Sequence, residues 1–348
     1  MNPLTERQKL IFTLVVRDYI ETAQPVGSNH LIERYKLDFS SATIRNEMMA
    51  LSEIGYLRQP HASAGRIPTE DGYRYFVTHF VYQTDLPEPT RQTITHQFYQ
   101  ARQDIDQWMH LAASILANHS RAASLITAPH AEKACYKHLE LISTQGRQVL
   151  MVLVLSGGEI LQQILTLAEP VSQGQLSNAA NRLNQICIQR TADEILVQGE
   201  QLNNLEQDIL TILLQDMNRG DQRISGELYL DGLSNVLSEP EFVESDDARR
   251  TLRMFEERSL LQDLLARTNP GGNIGGVQVL IGGEGEWSEL KQCSIVLARY
   301  GIPGIATGTL GVFGPMRMPY AKNIPTVRFM ADLLSGLVSE TMFGEEVK

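Results

Sequence analysis

Residues 26–80 read VGSNHLIERYKLDFSSATIRNEMMALSEIGYLRQPHASAGRIPTEDGYRYFVTHF, and this stretch decides the fold of the N-terminal part of the chain. A short helical run at 28–35 is followed by a tight connection and by a second helix from about Ser41 to Ile54. A strand-like GYLRQP, a turn of small residues and a basic return RIP come next. Helix, turn, helix and hairpin in this order predict a winged helix-turn-helix, which presents one helix to the major groove of DNA.

The second helix is predicted to be amphipathic. Ser40 is a good N-cap, because its hydroxyl can accept a hydrogen bond from a free amide of the first turn. One apolar stripe recurs at helical spacing, at Ile44, Met48 and Leu51. The opposite face carries Ala42, Arg45, Asn46, Met49 and Glu53. Arginine and asparagine match the edges of guanine and adenine, and they lie in the half of the helix that usually reaches the bases.

An ordinary helix with a solvated polar face would show the same pattern, but the hairpin that follows favours DNA binding. Arg58, His61 and Arg66 surround the small residues 62–65. A loop without bulky side chains can approach phosphates or enter the minor groove, where arginine is favoured. The alternative for this loop is a plain surface turn. The candidate DNA contacts are Ser28, Ser41, Thr43, Arg45, Asn46, Met49, Arg58, His61, Ser63 and Arg66.

Short motifs spread from the first helix almost to the C-terminus form a specific combination. They are TERQ (5–8), PVGS (25–28), ATIRNEM (42–48), GYL (55–57), SAGR (63–66), PT (68–69), GYR (72–74) and GPMRMPY (314–320). This combination resembles the heat-inducible transcription repressor HrcA family. Two positions depart from the family pattern, Ser41 where proline is usual and Ala62 where threonine is common. Serine suits a first helical turn, so the expected fold stands, whereas the missing threonine hydroxyl removes one candidate phosphate contact.

The resemblance implies a sequence-specific repressor of heat-shock (chaperone) operons. Such a repressor binds an inverted-repeat operator in double-stranded DNA as a homodimer. The chaperonin maintains its activity, which is lost on heat stress. The resemblance also implies a GAF-like domain with an inserted dimerisation domain, and a C-terminal motif whose matching residues here are Gly314, Pro315, Arg317, Met318 and Tyr320. We expect Arg317 to anchor a helix to a sheet; a subunit or chaperone contact is the alternative.

The pattern along the chain supports an interrupted α+β domain. Prolines at 87 and 89 indicate a linker at 85–90, and a long amphipathic helix is expected at 91–118. Further strands are expected at 137–144, 147–155, 159–167 (the last two joined by a Gly157-Gly158 turn) and after 274; helices are expected near 175–189, 202–218, 246–267 and 321–341. A sheet begun before 170 and resumed after 274 indicates an insertion. The predicted domains are a winged helix-turn-helix at 1–85, a GAF-like domain at 86–170 and 269–348, and an inserted α/β dimerisation domain at 171–268.

The charge distribution agrees with an N-terminal DNA-binding surface. The 348-residue chain has 43% apolar residues and a net charge of −11. Residues 1–82 contain nine basic and nine acidic residues, so the remainder, with 30 − 9 = 21 basic and 41 − 9 = 32 acidic residues, carries the whole excess. An acidic body repels the duplex. A neutral DNA-binding unit limits nonspecific phosphate affinity, so specificity should depend on base contacts and dimerisation.

No pattern in the sequence indicates catalysis, a cofactor or a metal site. The glycine-rich run at 282–285 lacks the Gly-Lys-Ser/Thr of a phosphate-binding loop, and Cys135, Cys187 and Cys293 are too widely spaced for a metal site. We expect reduced thiols, a cytoplasmic protein and no membrane segment. Two other interpretations stay open. One is a repressor that responds to a metabolite bound in the GAF-like domain, and the other is an enzyme carrying a regulatory DNA-binding module.

Overall fold

The computed structural model describes residues 4–81, 85–101, 104–130, 135–156, 160–197, 202–222, 227–242, 261, 265, 274–282 and 292–343. Within these ranges helices are combined with antiparallel strands, so the fold class is α+β, as predicted. Among the helices in these ranges, none carries a stretch that is both long and apolar enough to cross a bilayer.

The N-terminal unit, residues 4–81, consists of helices around a short hairpin. Its elements are α1 (Glu6–Thr22), α2 (Ser28–Tyr35), α3 (Ser41–Glu53), β1 (Leu57–Arg58), β2 (Ile67–Pro68) and α4 (Glu70–Phe76), which continues as a π-helical turn over Val77–Val81. The predicted N-cap at Ser40 is confirmed, and α1 and α4 also begin with side-chain caps. Thr5 and Gln8 form a reciprocal capping box at α1, and the hydroxyls of Ser40 and Thr69 each accept a hydrogen bond from the amide three residues on.

The predicted apolar stripe of α3 forms part of the core of this unit. Ile44, Met48 and Leu51 are all buried, and they belong to the same cluster as Ile11 and Phe12 of α1. Because this stripe faces inward, the opposite side of α3 faces solvent.

The rest of the chain adds seven helices and eight strands within the described residues. In chain order they are α5 (Glu88–Gln100), α6 (Ile105–Ser120), β3 (Ala123–Thr127), β4 (Tyr136–Ser143), β5 (Gln148–Leu155), β6 (Ile160–Thr166), α7 (Gln173–Cys187), α8 (Ala192–Val197), α9 (Asn204–Gln222), β7 (Leu228–Asp231), α10 (Leu233–Leu237), β8 (Val277–Ile281), β9 (Cys293–Ile302), β10 (Ala306–Pro315) and α11 (Tyr320–Phe343). The Gly157-Gly158 turn lies outside the described residues, as does nearly all of the helix expected near 246–267.

The prediction of one long helix at 91–118 is wrong, because α5 and α6 are separate. Ala101 adopts an extended conformation at the end of α5, and the Asp104 side chain caps α6 by accepting a hydrogen bond from the amide of Asp106. The expected linker is also shorter than predicted, since Pro89 lies inside the first turn of α5. Proline is tolerated there because the first amides of a helix have no partner within the helix.

Strands β4, β5 and β6 form a three-stranded antiparallel sheet of their own. One face of this sheet packs on α7 and α9 in a separate hydrophobic cluster that also includes Ile195 of α8. The expectation that these strands would pair with those after 274 is therefore wrong. Strands that follow one another through short turns pair with each other, and this meander buries one face locally without needing the distant strands.

The five-stranded sheet has the order β7-β3-β10-β9-β8, with all neighbours antiparallel. Helices α6 and α11 pack on one face. On the other face, α10 contributes to a second cluster together with the buried Leu261 and Leu265. The hydrophobic cluster on the α6 and α11 side of the sheet is continuous with the core of the N-terminal unit, so that unit is packed against the rest of the chain.

Candidate nucleic-acid interface

The exposed face of α3 carries the side chains that were predicted to contact bases. Arg45 and Asn46 are exposed, and Met49 next to them retains 49% of its accessible surface. Within the described part of the chain, no hydrogen bond or ion pair engages the side chain of Arg45 or Asn46. Their donors and acceptors are therefore directed to solvent, where a ligand can reach them.

Three of the predicted contact residues are engaged at the start of α3. The Ser28 and Ser41 hydroxyls lie 2.8 Å apart, and this contact joins α2 to α3. The Thr43 hydroxyl lies 2.8 Å from that of Ser40. Ser28 is buried, while Ser41 and Thr43 are half-buried. In this structure these three hydroxyls position the start of α3.

Three polar contacts hold α3 and α2 against α1. Arg7 at the start of α1 contacts Glu47 of α3, with 2.6 Å between Nε and Oε1. The buried carboxylate of Asp18 lies 3.0 Å from the His30 ring and 2.7 Å from the Arg34 guanidinium. Sequence reasoning missed all three contacts. A single acid within the apolar run of α1 was the available signal for Asp18, because an acidic side chain is rarely buried unless it is paired.

The hairpin loop is organised by Gln59, which the sequence prediction also missed. Its side-chain amide donates hydrogen bonds to the carbonyls of Ala62 and Ala64, each at 2.9 Å. Its carbonyl accepts a hydrogen bond of 2.8 Å from the Arg66 guanidinium. One side chain therefore satisfies two loop carbonyls and orients an arginine. Local pattern offered no signal for this role, since glutamine has no strong turn preference.

The loop is docked against the segment that precedes α2. Val26 and Arg66 exchange two backbone hydrogen bonds, of 2.8 and 2.9 Å. Gly65 lies so close to this segment that a Cβ atom would be 2.4 Å from the Val26 carbonyl group and 2.7 Å from the Pro25 carbonyl carbon. Glycine is required at this close approach of two backbones. The loop therefore has a fixed place beside the helices.

The predicted loop residues lie on the outer side of this docked hairpin. Arg58, His61 and Ser63 are exposed, and Arg66 is half-buried by its contact with Gln59. Next to the hairpin, the rings of Tyr56 and Tyr75 are stacked, with 4.7 Å between their centroids. Burial raises the pKa of the Tyr56 phenol, and the neighbouring Tyr75 raises it further.

The C-terminal motif spans the end of β10 and the start of α11. Gly314 and Pro315 end β10, Met318 is buried, and Tyr320 begins α11. The Tyr320 hydroxyl donates to the carbonyl of Met316 at 2.7 Å, and burial raises its pKa. The prediction that Arg317 anchors the last helix to the sheet is wrong. Its guanidinium instead contacts two carboxylates that follow α10 and the carbonyl of Ile20 in α1, because the turn after β10 directs it toward the N-terminal unit.

Comparisons with known proteins agree with this arrangement. A family model described as the HrcA protein C-terminal domain matches residues 106–324. The heat-inducible transcription repressor HrcA of Roseiflexus castenholzii is 40% identical over 351 residues, covering 99% of this chain and 96% of the relative. The protein of the same name from Thermomicrobium roseum is 39% identical, covering 99% of this chain and 98% of the relative. The crystal structure of a hypothetical protein matches 97% of this chain and all of its own, with a TM-score of 0.61 at 24% identity.

An exposed helix face beside a docked hairpin, together with these relatives, defines the class: the protein is a transcription repressor and not an enzyme. More particularly, the chain belongs to the HrcA family of heat-inducible transcription repressors. The resemblance to this family that the motifs at 5–74 and 314–320 suggested is thus confirmed.

Proposed function

We propose that the chain represses heat-shock operons by binding an inverted-repeat operator in double-stranded DNA as a homodimer. The N-terminal unit acts in this proposal as a winged helix-turn-helix, in which α3 is the recognition helix and the β1–β2 hairpin is the wing. One observation carries the proposal. Arg45 and Asn46 face solvent on α3, and the hairpin, whose strand β1 contacts α3, is fixed to the segment before α2 through Val26 and Arg66.

The exposed residues divide between base recognition and backbone contact. Arg45 and Asn46 would form bidentate hydrogen bonds to guanine and adenine in the major groove, and Met49 offers an apolar contact for a thymine methyl group. On the wing, Arg58, His61, Ser63 and Arg66 would contact phosphates or the minor groove. Because residues 1–82 carry no net charge, we expect base contacts and dimerisation to supply much of the specificity.

The organisation of the rest of the chain follows from its two sheets. We propose a GAF-like domain built on the five-stranded sheet and an inserted domain built on β4, β5 and β6. The separate core of the three-stranded sheet supports limits of 135–222 for the insertion in place of 171–268. The DNA-binding unit retains its proposed limits of 1–85.

The outer face of the three-stranded sheet is the surface that we propose for the homodimer. Apolar residues lie opposite each other on this face: Leu150 of β5 pairs with Ile142 of β4 and with Ile164 of β6. Val154 of β5 pairs with Ile160 of β6 in a second row. Ile160 and Ile164 keep 57% and 63% of their surface exposed. A second copy is the favoured occupant, because a two-fold operator requires a two-fold protein and a two-fold axis brings the same apolar face from each subunit together.

The control by heat is proposed from family membership. We propose that the chaperonin keeps the repressor folded, and that repression is lost when heat diverts chaperonin to other clients. This control requires marginal stability, since a loss of about 1–2 kcal/mol changes the ratio of folded to unfolded protein roughly 5- to 30-fold.

The test of the proposal is binding of the purified chain to an inverted-repeat duplex from upstream of a chaperone operon, with a scrambled duplex as control. Specific binding, strengthened by chaperonin and ATP, is the expected result. Equal affinity for the two duplexes would refute sequence-specific repression. Specific binding that responds to a small metabolite and is unaffected by chaperonin would replace chaperonin control with ligand control.

A further inference from the structure

The C-terminal end of α1 lacks a positive charge of its own. Its last turn contains no lysine or arginine, while Asp18 and Glu21 place negative charge there. The last carbonyls of a helix have no partner within the helix, and the helix dipole makes this end negative. Arg34 of α2 contacts both acids from one side. The other side of this helix end is met by the body of the protein.

Arg317 supplies the missing cation from a position 297 residues further along the chain. It is 9% exposed, and its Nη1 donates a hydrogen bond of 3.2 Å to the carbonyl of Ile20. The same guanidinium contacts Glu241 at 2.5 Å and also contacts Glu239. Two carboxylates and a helix-end carbonyl therefore share one buried arginine, which only the planar fork of a guanidinium can satisfy at once.

The two carboxylates are themselves held firmly by the body. They lie in the turn after α10, where the amide of Phe242 donates to the carbonyl of Glu239 at 2.9 Å. The Phe242 side chain is buried in the core on the α10 side of the five-stranded sheet. In α10, Asn235 donates hydrogen bonds to the carbonyls of Ala117 and Ala122. The position of Arg317 is thus fixed by the sheet and transmitted to α1.

Other contacts between the two parts lie along the same interface. Arg74 of α4 donates a hydrogen bond of 3.0 Å to the carbonyl of Ile281 at the end of β8. The ring of Tyr73 packs at 5.9 Å from that of Tyr320, the last residue of the C-terminal motif. The hydroxyl of Tyr73 is buried without a hydrogen-bond partner among the described residues. Among the described residues, the side-chain hydrogen bonds that join the two parts come from Arg317 and Arg74.

We propose that Arg317, held by Glu239 and Glu241, is a positioning residue that fixes the orientation of the DNA-binding unit on the body. The inference rests on the proposed function and deepens it. In a homodimer, the orientation of each DNA-binding unit sets the distance and rotation between the two recognition helices. Arg317 would therefore determine which half-site spacing the repressor accepts, although it is buried and so does not itself contact DNA.

The first arm of the test needs no DNA. Nitroxide labels are placed at Glu53→Cys, at the end of α3, and at Ile305→Cys, in the turn between β9 and β10, after the native cysteines have been replaced by alanine. The distribution of distances between the two labels is measured by double electron–electron resonance spectroscopy. We expect Arg317→Gln to broaden or shift this distribution, whereas Arg147→Gln, an exposed arginine that donates to the carbonyl of Ala168 within the inserted unit, should leave it unchanged.

The second arm measures the affinity of the full chain for one half-site and for inverted repeats whose spacer grows in steps to 5 bp beyond the natural length. The 5 added base pairs turn one half-site by about half a helical turn relative to the other, so two rigidly held recognition helices can no longer reach both. The affinity of the wild type should therefore fall about tenfold or more at the longest spacer. The affinity of Arg317→Gln should fall much less as the spacer grows, and its affinity for the single half-site should equal that of the wild type. Arg317→Lys, which keeps the charge without the fork, should lie between the two.

Each outcome decides a different claim. An unchanged label distance in Arg317→Gln would overturn the positioning role, and a changed distance with an unchanged spacer profile would overturn the role in half-site spacing. If Arg317→Gln does not fold, the milder Glu239→Gln is measured in both arms with the same expectations. A wild type that binds no duplex would refute the proposed function and the spacing role with it, while the label distances would still establish whether Arg317 holds the unit in place.

Discussion

Replacing Gly65 by alanine tests whether the docked hairpin is needed for DNA binding. The added Cβ would lie 2.4 Å from the carbonyl carbon and oxygen of Val26, and both are backbone atoms that cannot rotate away. If the loop stays in place, the overpacking costs about 1–3 kcal/mol. If the loop moves, the two Val26–Arg66 hydrogen bonds are lost at about 0.5–1.5 kcal/mol each. Both routes lead to a local loss of about 1–3 kcal/mol.

Hydrogen exchange of the Val26 and Arg66 amides measures this loss directly. Since every 1.4 kcal/mol is a factor of ten, their protection should fall by about 5- to 150-fold. Operator affinity, measured by fluorescence anisotropy, should fall in parallel because the wing is displaced. Gly27→Ala is the matched control, since a Cβ atom there meets nothing within 4 Å. Native protection in Gly65→Ala, or native affinity despite lost protection, would refute the requirement for a docked wing.

The remaining predictions concern three other contacts. Asp18→Asn should lower the free energy of unfolding by about 1–2 kcal/mol, because the buried side chain loses its charge beside His30 and Arg34. The expected loss is no larger because both cations are partly exposed to solvent, which weakens the ion pairs. An unchanged melting temperature would contradict this prediction. Arg66→Ala should reduce the steepness of log affinity against log salt concentration by about one, because one phosphate contact is lost. Gln59→Ala should weaken binding without changing this slope, because it only loosens the loop. If the two variants show the same slope, Arg66 orders the loop and does not contact a phosphate. Ile164→Lys should yield monomers in sedimentation, while Asn178→Lys on the far side of the same unit stays dimeric; a dimeric Ile164→Lys would exclude the proposed face.

Features that depend on neighbouring residues were predictable from the sequence. The caps at Thr5, Ser40 and Thr69 and the buried stripe of α3 follow from side chains within one or two helical turns. The same local pattern left Arg45 and Asn46 on the exposed face, and the structure agrees. Their contact with DNA stays a prediction.

Features that depend on distant partners were not predictable. Strand patterns at 137–167 identified strands, but period-two alternation does not state which sheet a strand joins. Residues 123–127 and 228–231 complete the five-stranded sheet instead. In the same way, an arginine after a Gly-Pro turn gives no indication that its partners are the end of α1 and two glutamates 76 and 78 residues earlier.

The most direct test of the central claim is the affinity of Arg45→Ala for the inverted-repeat operator and for a scrambled duplex. An arginine that contacts a base contributes about 1–3 kcal/mol, so operator affinity should fall by about 5- to 150-fold and preference at one base pair should relax. Affinity for the scrambled duplex should stay nearly constant, and Arg147→Ala, on the inserted unit, should change neither value. Native operator affinity in Arg45→Ala, or an equal loss on both duplexes, would contradict base recognition by the exposed face of α3.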